Sequence, residues 1–223
     1  MRTGRLAPAL ALALVIGPSA WGRRAEADLI AHLVLNSQPG DFIGQGKSFD
    51  ITYTAPGTQT VSAQIRRTVA GGAPGELLFV LDQNVQGTNT FALLFFGTDQ
   101  LGIPMQPGVY GLPGNTAQRA DFAAPGHAGL DVSFQNRGSN TVTGNFTVTE
   151  ATFYQDAGNV TRIGRFAATF EQHSEGATPA LFGSFTFQDT SLAAVPEPST
   201  LALAAVGISA ALGRAWLKRR RAA

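Results

Sequence analysis

The sequence predicts an all-β protein, an antiparallel two-sheet sandwich or alternatively a partly closed β-barrel, with an N-terminal signal helix and a C-terminal transmembrane helix. Apolar and polar residues alternate over short runs between residues 28 and 194, glycine and proline separate these runs, and each end of the chain holds an apolar segment beside basic residues. Such alternation and punctuation are typical of half-buried strands joined by turns. We therefore divide the chain into a signal peptide (1–27), a β-rich extracytoplasmic domain (28–194) and a tail (195–223).

Nine runs of the middle segment are predicted to be strands. In one of them Val61, Ala63 and Ile65 share one face, while the polar residues between them share the other. The four residues 156–159, Asp-Ala-Gly-Asn, are predicted to form a hairpin loop between two long strands. The predicted strands are 29–35, 48–54, 61–66, 77–81, 90–96, 130–134, 146–151, 160–170 and 184–188.

Residues 98–127 are the least regular part of this domain, with many Gly, Pro and Asn. The region is either a long loop, which would make it the best place for a functional site, or a structured excursion with a short strand around residues 109–110.

Charge and composition exclude several function classes. Residues 28–195 hold seven basic and thirteen acidic residues, a formal charge of −6. Nucleic acid is therefore not an expected partner, because binding phosphate requires clustered Lys and Arg. The chain has no cysteine, which excludes disulfides, thiol catalysis and thiolate metal sites.

The first 27 residues have the three-part pattern of a secretory signal. Arg2 and Arg5 precede an apolar run over 6–16, and the small residues Ala25 and Ala27 follow it. The run is shorter than the ~20 residues that span a bilayer, so we predict cleavage after Ala27 rather than a membrane anchor. Signal peptidase and the Sec export machinery are the expected partners of this segment.

The C-terminus combines an extended motif, an apolar helix and a basic end. Pro196 and Pro198 fix their own φ angles and disfavour helix in the residues before them, which leaves the segment accessible to a protease. A helix over 201–217 would be ~25 Å long, slightly under the ~30 Å of a hydrocarbon core. The basic cluster at 218–221 stays cytoplasmic by the positive-inside rule, which leaves the domain outside.

The order Val-Pro-Glu-Pro-Ser-Thr, apolar helix and basic end resembles the PEP-CTERM sorting signal of Gram-negative bacteria that make exopolysaccharide. The resemblance covers about 195–221. It implies processing by an exosortase, a membrane-embedded cysteine transpeptidase, followed by release to the cell surface or extracellular matrix. Pro196, Glu197 and Pro198 are the recognition residues that the resemblance implies.

A second resemblance concerns the middle domain. Residues 35–46 (LNSQPGDFIGQG) and 170–184 (FEQHSEGATPALFGS) look like an uncharacterised β-domain of exported bacterial proteins. Relatives with that pattern carry cysteines at the positions of Ser139 and Ser174. The resemblance therefore implies that these two serines are neighbours in space.

The sequence shows no catalytic or cofactor-binding motif. The three histidines are widely spaced, and P-loop, dinucleotide and nucleophile-elbow motifs are absent. Glu171, His173 and Glu175 alternate, so a strand through all three would place them on one face; the alternative is a solvated strand end before a turn. No catalytic residue, cofactor or metal ligand is predicted.

The leading hypothesis is a non-enzymatic cell-surface or extracellular-matrix protein that is structural or associated with exopolysaccharide. The alternative is a secreted hydrolase that acts on polysaccharide through carboxylates. Asp99, Asp121 and His127 in the irregular region are its candidate residues.

Overall fold

The computed structural model describes residues 28–56, 59–85 and 88–190, and these residues form an all-β fold. Three short 3₁₀ helices, at Ala70–Gly72, Asp99–Leu101 and Ala120–Phe122, lie between strands. The strands are β1 (Leu29–Ser37), β2 (Ser48–Ala55), β3 (Thr60–Thr68), β4 (Pro74–Asp82), β5 (Asn84–Val85), β6 (Thr88–Asn89), β7 (Ala92–Gly97), β8 (Gly108–Tyr110), β9 (Ala117–Gln118), β10 (Gly129–Phe134), β11 (Val142–Gln155), β12 (Thr161–Ser174) and β13 (Ala180–Asp189).

One 11-stranded sheet contains every strand except the small β5–β6 pair. Its order is β2-β1-β13-β12-β11-β9-β10-β7-β4-β3, with β8 paired to β11, and only the β9–β10 contact is parallel. The two end strands, β2 and β3, follow each other in the chain and come close, so the sheet curls into a nearly closed, barrel-like form. The all-β prediction is confirmed, and its alternative form, the partly closed barrel, describes the sheet better than two separate sheets.

All nine predicted strands are present, and the hairpin β11–β12 is the longest pairing. Its two strands of 14 residues are joined at the predicted 156–159 loop, where Oδ1 of Asp156 accepts hydrogen bonds from the backbone N–H groups of Gly158 and Val160. The pattern underestimated β12, which continues past Phe170 to Ser174. The reason is that the residues after Phe170 are polar on both faces, so the apolar alternation stops before the strand does.

Phenylalanine fills the barrel interior. Phe79 packs against Phe185 with ring centroids 4.7 Å apart, and Phe96 packs against Phe146 at 5.4 Å. These side chains come from strands on opposite sides of the sheet order and are fully buried. These phenylalanines therefore form the hydrophobic core, and their rings are not accessible to a ligand.

One inward side chain completes the sheet where backbone pairing stops. The amide of Gln172 on β12 is fully buried, and it both donates to the carbonyl oxygen of Val132 (2.9 Å) and accepts from its N–H (2.7 Å). It thus provides two hydrogen bonds that a neighbouring strand would otherwise supply to β10.

The irregular region is a structured excursion rather than an open loop. It contains β8, β9 and two 3₁₀ helices, and β8 includes the predicted Val109 and Tyr110. Tyr110 packs on Phe146 with centroids 5.0 Å apart, and its hydroxyl donates to the carbonyl oxygen of Gln106. The excursion therefore lies on the sheet and can build a site against it.

The predicted signal helix and the helix over 201–217 lie outside the described residues. Within the described ranges, no helix is long and apolar enough to cross a membrane.

Candidate functional site

A cleft of about 220 Å³ lies where the excursion meets the hairpin β11–β12. Thr143 pairs with His173 and Asn145 pairs with Glu171 across the ladder, and these four residues share one face because they alternate with Gly144 and Gln172. We call this the ladder cleft. Its lining residues are Gly111, Pro113, Thr116, Thr143, Gly144, Asn145, Glu171 and His173.

Hydrogen bonds fix the polar side chains of the ladder cleft. Nδ1 of His173 lies 3.1 Å from the carbonyl oxygen of Ala177, and Nε2 lies 2.9 Å from Oε1 of Glu171. When the ring is doubly protonated it donates to both oxygens and forms an ion pair with Glu171. Oε2 of Glu171 accepts a 3.2 Å hydrogen bond from Nδ2 of Asn145. The side chains of His173 and Glu171 are 26% and 35% exposed, so this ordered group still meets water.

Two glycines allow the excursion to approach the ladder closely enough to form the cleft. Gly111 has φ +80°, and a Cβ there would lie 2.6 Å from the carbonyl oxygen of Gly144. A Cβ on Gly144 would collide with the carbonyl oxygen of Glu171. Larger residues at either position would push the wall of the cleft away from its floor.

Glu175 does not share the face of Glu171 and His173. The strand ends at Ser174, and Glu175 takes a left-handed conformation with φ +55°. Its carboxylate accepts hydrogen bonds from the backbone N–H of Asn140 and from the hydroxyl of Thr141. The hydrogen bond from Asn140 holds the pKa of Glu175 below its usual value. Of the two interpretations, the strand end before a turn therefore describes Glu175, whereas Glu171 and His173 do share a face.

A second polar cluster gathers around Arg67 beneath the other side of the excursion. Its guanidinium lies 3.2 Å from Oε2 of Glu76, 3.5 Å from Oδ2 of Asp99 and 3.4 Å from Oδ1 of Asp121. Asp121 is also 3.4 Å from Nη2 of Arg66. We call these five residues the Arg67 cluster.

Burial dominates the electrostatics of this second region. Glu76 is completely inaccessible, and its burial raises the pKa of the carboxyl, an effect that the charge of Arg67 opposes. Nearby, burial raises the pKa of Asp131, opposed by a 3.0 Å hydrogen bond from Nε of Arg119. Perturbed carboxyls are often catalytic, but Glu76 has no surface for a substrate to touch. The arrangement is therefore suited to stability rather than to catalysis.

The structure separates the residues that the hydrolase hypothesis named. Asp99 and Asp121 meet at Arg67, but His127 points elsewhere, with Nδ1 2.9 Å from the carbonyl oxygen of Thr116. Both carboxylates are already paired with a cation, and the Asp99 side chain is only 7% exposed. A general base must reach the proton it removes, and these groups face an arginine instead.

Ser139 and Ser174 are neighbours, as the second resemblance implied. Oγ of Ser139 donates to Oγ of Ser174 at 2.6 Å, and both residues are 3% exposed. They join the loop before β11 to the end of β12, one residue after His173.

The described residues hold no group of three or more His, Asp and Glu side chains suited to a metal ion. The predicted sorting residues Pro196, Glu197 and Pro198 lie outside the described residues.

Sequence reasoning missed Glu76, Asp131 and Asn145. Glu76 and Asp131 stand within apolar strand sequences, and a charged residue in such a run was the available signal for a buried ion pair. Asn145 gave no signal, because its role depends on cross-strand register with Glu171.

The C-terminal segment matches a known family. The family model of the PEP-CTERM protein-sorting motif matches residues 194–221. No curated protein and no solved structure matches the chain. Because the matched motif directs exported proteins to an exosortase, the chain is an exosortase-targeted exported protein that carries a C-terminal PEP-CTERM protein-sorting motif.

Proposed function

We propose that this protein is structural at the cell surface or in the extracellular matrix, where its β-domain is associated with exopolysaccharide. The PEP-CTERM motif at 194–221 is the observation that carries the proposal. The motif specifies a sorting route out of the cell, which suits a structural or binding role at the surface.

The proposed route begins with Sec export and cleavage by signal peptidase after Ala27. The helix over 201–217 then anchors the chain in the inner membrane, with 218–221 in the cytoplasm. Exosortase recognises Pro196, Glu197 and Pro198 and removes the tail, after which the domain of 28–194 is released outward.

The geometry of the domain ends supports this route. Thr190 is joined to Asp28 through two hydrogen bonds to the Asp28 carbonyl oxygen, one from its N–H at 3.1 Å and one from its hydroxyl at 2.8 Å. The tail thus leaves the barrel beside the predicted signal cleavage point. The segment 191–195, between Thr190 and the Pro-Glu-Pro motif, is five residues and could span at most ~18 Å.

Carboxylate-based hydrolysis is the less favoured function. The acidic residues of the Arg67 cluster are paired with arginine, and the pair Glu171–His173 provides one carboxylate where glycosidases generally use two. Binding without turnover requires neither a second carboxylate nor a free base.

The sorting proposal is tested by mass spectrometry of the protein from a host with and without its exosortase. We expect the tail 201–223 to be absent in the first case and present in the second. Glu197→Ala should block removal of the tail, and Ser191→Ala, just outside the motif, should not. An intact tail in both hosts would refute exosortase processing.

The matrix proposal is tested by fractionation. We expect the protein to co-sediment with the purified exopolysaccharide of its host and to move to the culture medium in a strain that makes no polysaccharide. An unchanged distribution between these strains would argue against association with the polymer.

A further inference from the structure

We infer that the ladder cleft binds one neutral sugar unit, held by hydrogen bonds with Thr116, Thr143, Asn145 and Glu171, whose carboxylate is oriented by His173. The inference rests on the proposed function and identifies the part of the domain that would contact the polymer.

Size limits the ligand class. The volume of about 220 Å³ lies below the ~300–1,000 Å³ of pockets for drug-sized ligands, so it suits a molecule the size of a single hexose. The ladder cleft is open to solvent, which allows one unit of a longer chain to enter while its neighbours remain outside.

Hydrogen-bonding groups around the ladder cleft match hydroxyls. Among the described residues, the hydroxyls of Thr116 and Thr143 have no hydrogen-bond partner, and each can donate once and accept twice. Glu171 retains acceptor capacity beyond the bonds from Asn145 and His173. A sugar presents several hydroxyls that both donate and accept, and the Pro113 ring offers an apolar surface to its C–H groups.

Charge disfavours the other small ligands. With His173 protonated the pair with Glu171 is formally neutral, and with His173 neutral it is negative, so neither state attracts an anion. A zinc site normally needs three or four protein ligands, whereas the ladder cleft provides one imidazole and one carboxylate. A neutral polyhydroxylated molecule remains the best chemical match.

Binding at this cleft would not disturb the barrel. Thr143, Asn145, Glu171 and His173 lie on the face of the hairpin opposite to Gln172, which is fully buried. The site is fixed by backbone pairing and by glycine contacts, so little ordering is required when a ligand enters.

The test is saturation-transfer NMR on the full chain in detergent micelles, with methyl glycosides of glucose, galactose and mannose as probes. For one of these we expect saturation transfer and a dissociation constant on the order of 1 mM, typical of a ligand with so few atoms. Galacturonate and Zn²⁺ serve as the anionic and metallic probes.

A bulky residue in the ladder cleft should abolish binding. Thr143 is exposed, so Thr143→Phe blocks the space without entering the core, and we expect at least a tenfold loss of affinity. Thr52→Phe places the same bulk on an exposed position of β2 and should leave affinity within twofold. Circular dichroism checks that both variants fold.

Three results would overturn the inference: no transfer to any neutral glycoside, equal binding by the Thr143→Phe variant, or perturbation by Zn²⁺ or galacturonate alone. Co-sedimentation of the Thr143→Phe variant with the host polysaccharide separates the two proposals. Full co-sedimentation would reject the ladder cleft and keep the matrix role, whereas absent co-sedimentation of the unmodified chain would reject the matrix role.

Discussion

The ladder cleft and the Arg67 cluster lie on two sides of the same excursion, and they differ in how far their carboxylates are removed from water. In the Arg67 cluster a carboxylate is completely buried, and the pKa of Glu76 is raised because desolvation outweighs the attraction of Arg67. In the ladder cleft the hydrogen-bonded pair of Glu171 and His173 is partly exposed, with the two side chains 35% and 26% accessible. The Arg67 cluster therefore holds Glu76 out of water, although Arg67 and Asp121 are themselves 36% and 38% exposed, whereas water reaches both partners in the ladder cleft.

This difference separates a structural ion pair from a binding site. Removal of one partner from a buried pair leaves an unsolvated charge, whereas water replaces a lost partner at an exposed pair. Changes in the Arg67 cluster should therefore alter stability, and changes in the ladder cleft should alter binding.

The largest effect is expected at the end of β12, next to His173, where a buried neutral hydrogen bond joins Ser139 to Ser174. The double variant Ser139→Cys/Ser174→Cys should form a disulfide in air, with dioxygen as the oxidant, because the two side-chain oxygens it replaces are only 2.6 Å apart. Closing this loop should raise the free energy of unfolding by about 3–4 kcal/mol in the chain-entropy estimate.

Urea unfolding with and without reductant measures the effect of this disulfide, and a thiol assay counts the free cysteines. Each single variant is a control that cannot form the bond. Two free thiols after oxidation, or an oxidised form no more stable than the reduced one, would contradict the geometry.

Arg67→Ala should cost the most stability among changes to charged residues. It leaves Glu76 buried without its cation and places Asp99 and Asp121 close together without neutralisation. Buried pairs lose ~3–5 kcal/mol when broken, and the 36% exposure of the Arg67 side chain reduces our expectation to about 2–3 kcal/mol.

Arg165→Ala is the matched control for this loss. Arg165 is 52% exposed and pairs with a 41% exposed Glu150 at 3.3 Å, so its removal should cost less than about 1 kcal/mol. Equal losses from the two variants, measured by urea unfolding at pH 7, would remove the distinction between buried and exposed pairs.

Glu76→Gln should alter the pH dependence of stability. The folded-state pKa of Glu76 is raised, so its protonated form favours folding, and that contribution is lost as pH rises through the folded pKa. Glutamine stays neutral at every pH, so the variant keeps this contribution. Its free energy of unfolding should therefore rise relative to that of the native chain as pH increases, by about 1 kcal/mol at pH 7.

Unfolding curves between pH 4 and pH 7 measure this gain, and Glu150→Gln at the exposed pair is the control. A variant that loses stability relative to the native chain as pH rises would show that attraction by Arg67, rather than desolvation, dominates at Glu76.

The fold was largely predictable because its signals are local. Alternation in runs such as Val61, Ala63 and Ile65 requires only that one face of a strand is buried, and the Asp156 loop is encoded in four consecutive residues. The sequence did not decide between a two-sheet sandwich and a partly closed barrel. That choice depends on the contact between β2 and β3, which no local sequence pattern predicts.

The candidate site was less predictable because it depends on register and on distant contacts. The alternation of Glu171 and His173 was visible in the sequence. Asn145, however, contacts Glu171 only because the two strands pair, and Gly111 belongs to the separate segment 98–127. The two interpretations of Glu175 were separated only by the structure, in which Glu175 takes a left-handed conformation just after the strand ends. Local periodicity therefore identifies faces, whereas tertiary contacts decide which faces form a cleft.

The smallest effect on stability should come from His173→Gln. The side chain is 26% exposed, its partner Glu171 is 35% exposed, and water can solvate both when the pair is lost, so the expected change is within about 0.5 kcal/mol. Binding of a neutral glycoside should nevertheless fall, because glutamine cannot keep the fixed arrangement of the ring between Ala177 and Glu171.

Urea unfolding and saturation-transfer NMR on the same His173→Gln sample measure the two quantities together. Gln172→Ala, one residue away on the opposite face, is the control with the reverse pattern, because it leaves the N–H and carbonyl groups of Val132 unsatisfied and should cost about 2–3 kcal/mol. If His173→Gln instead lost as much stability as Gln172→Ala, the ladder cleft would be a structural ion pair like that of Arg67, and the contrast between the two regions would fail.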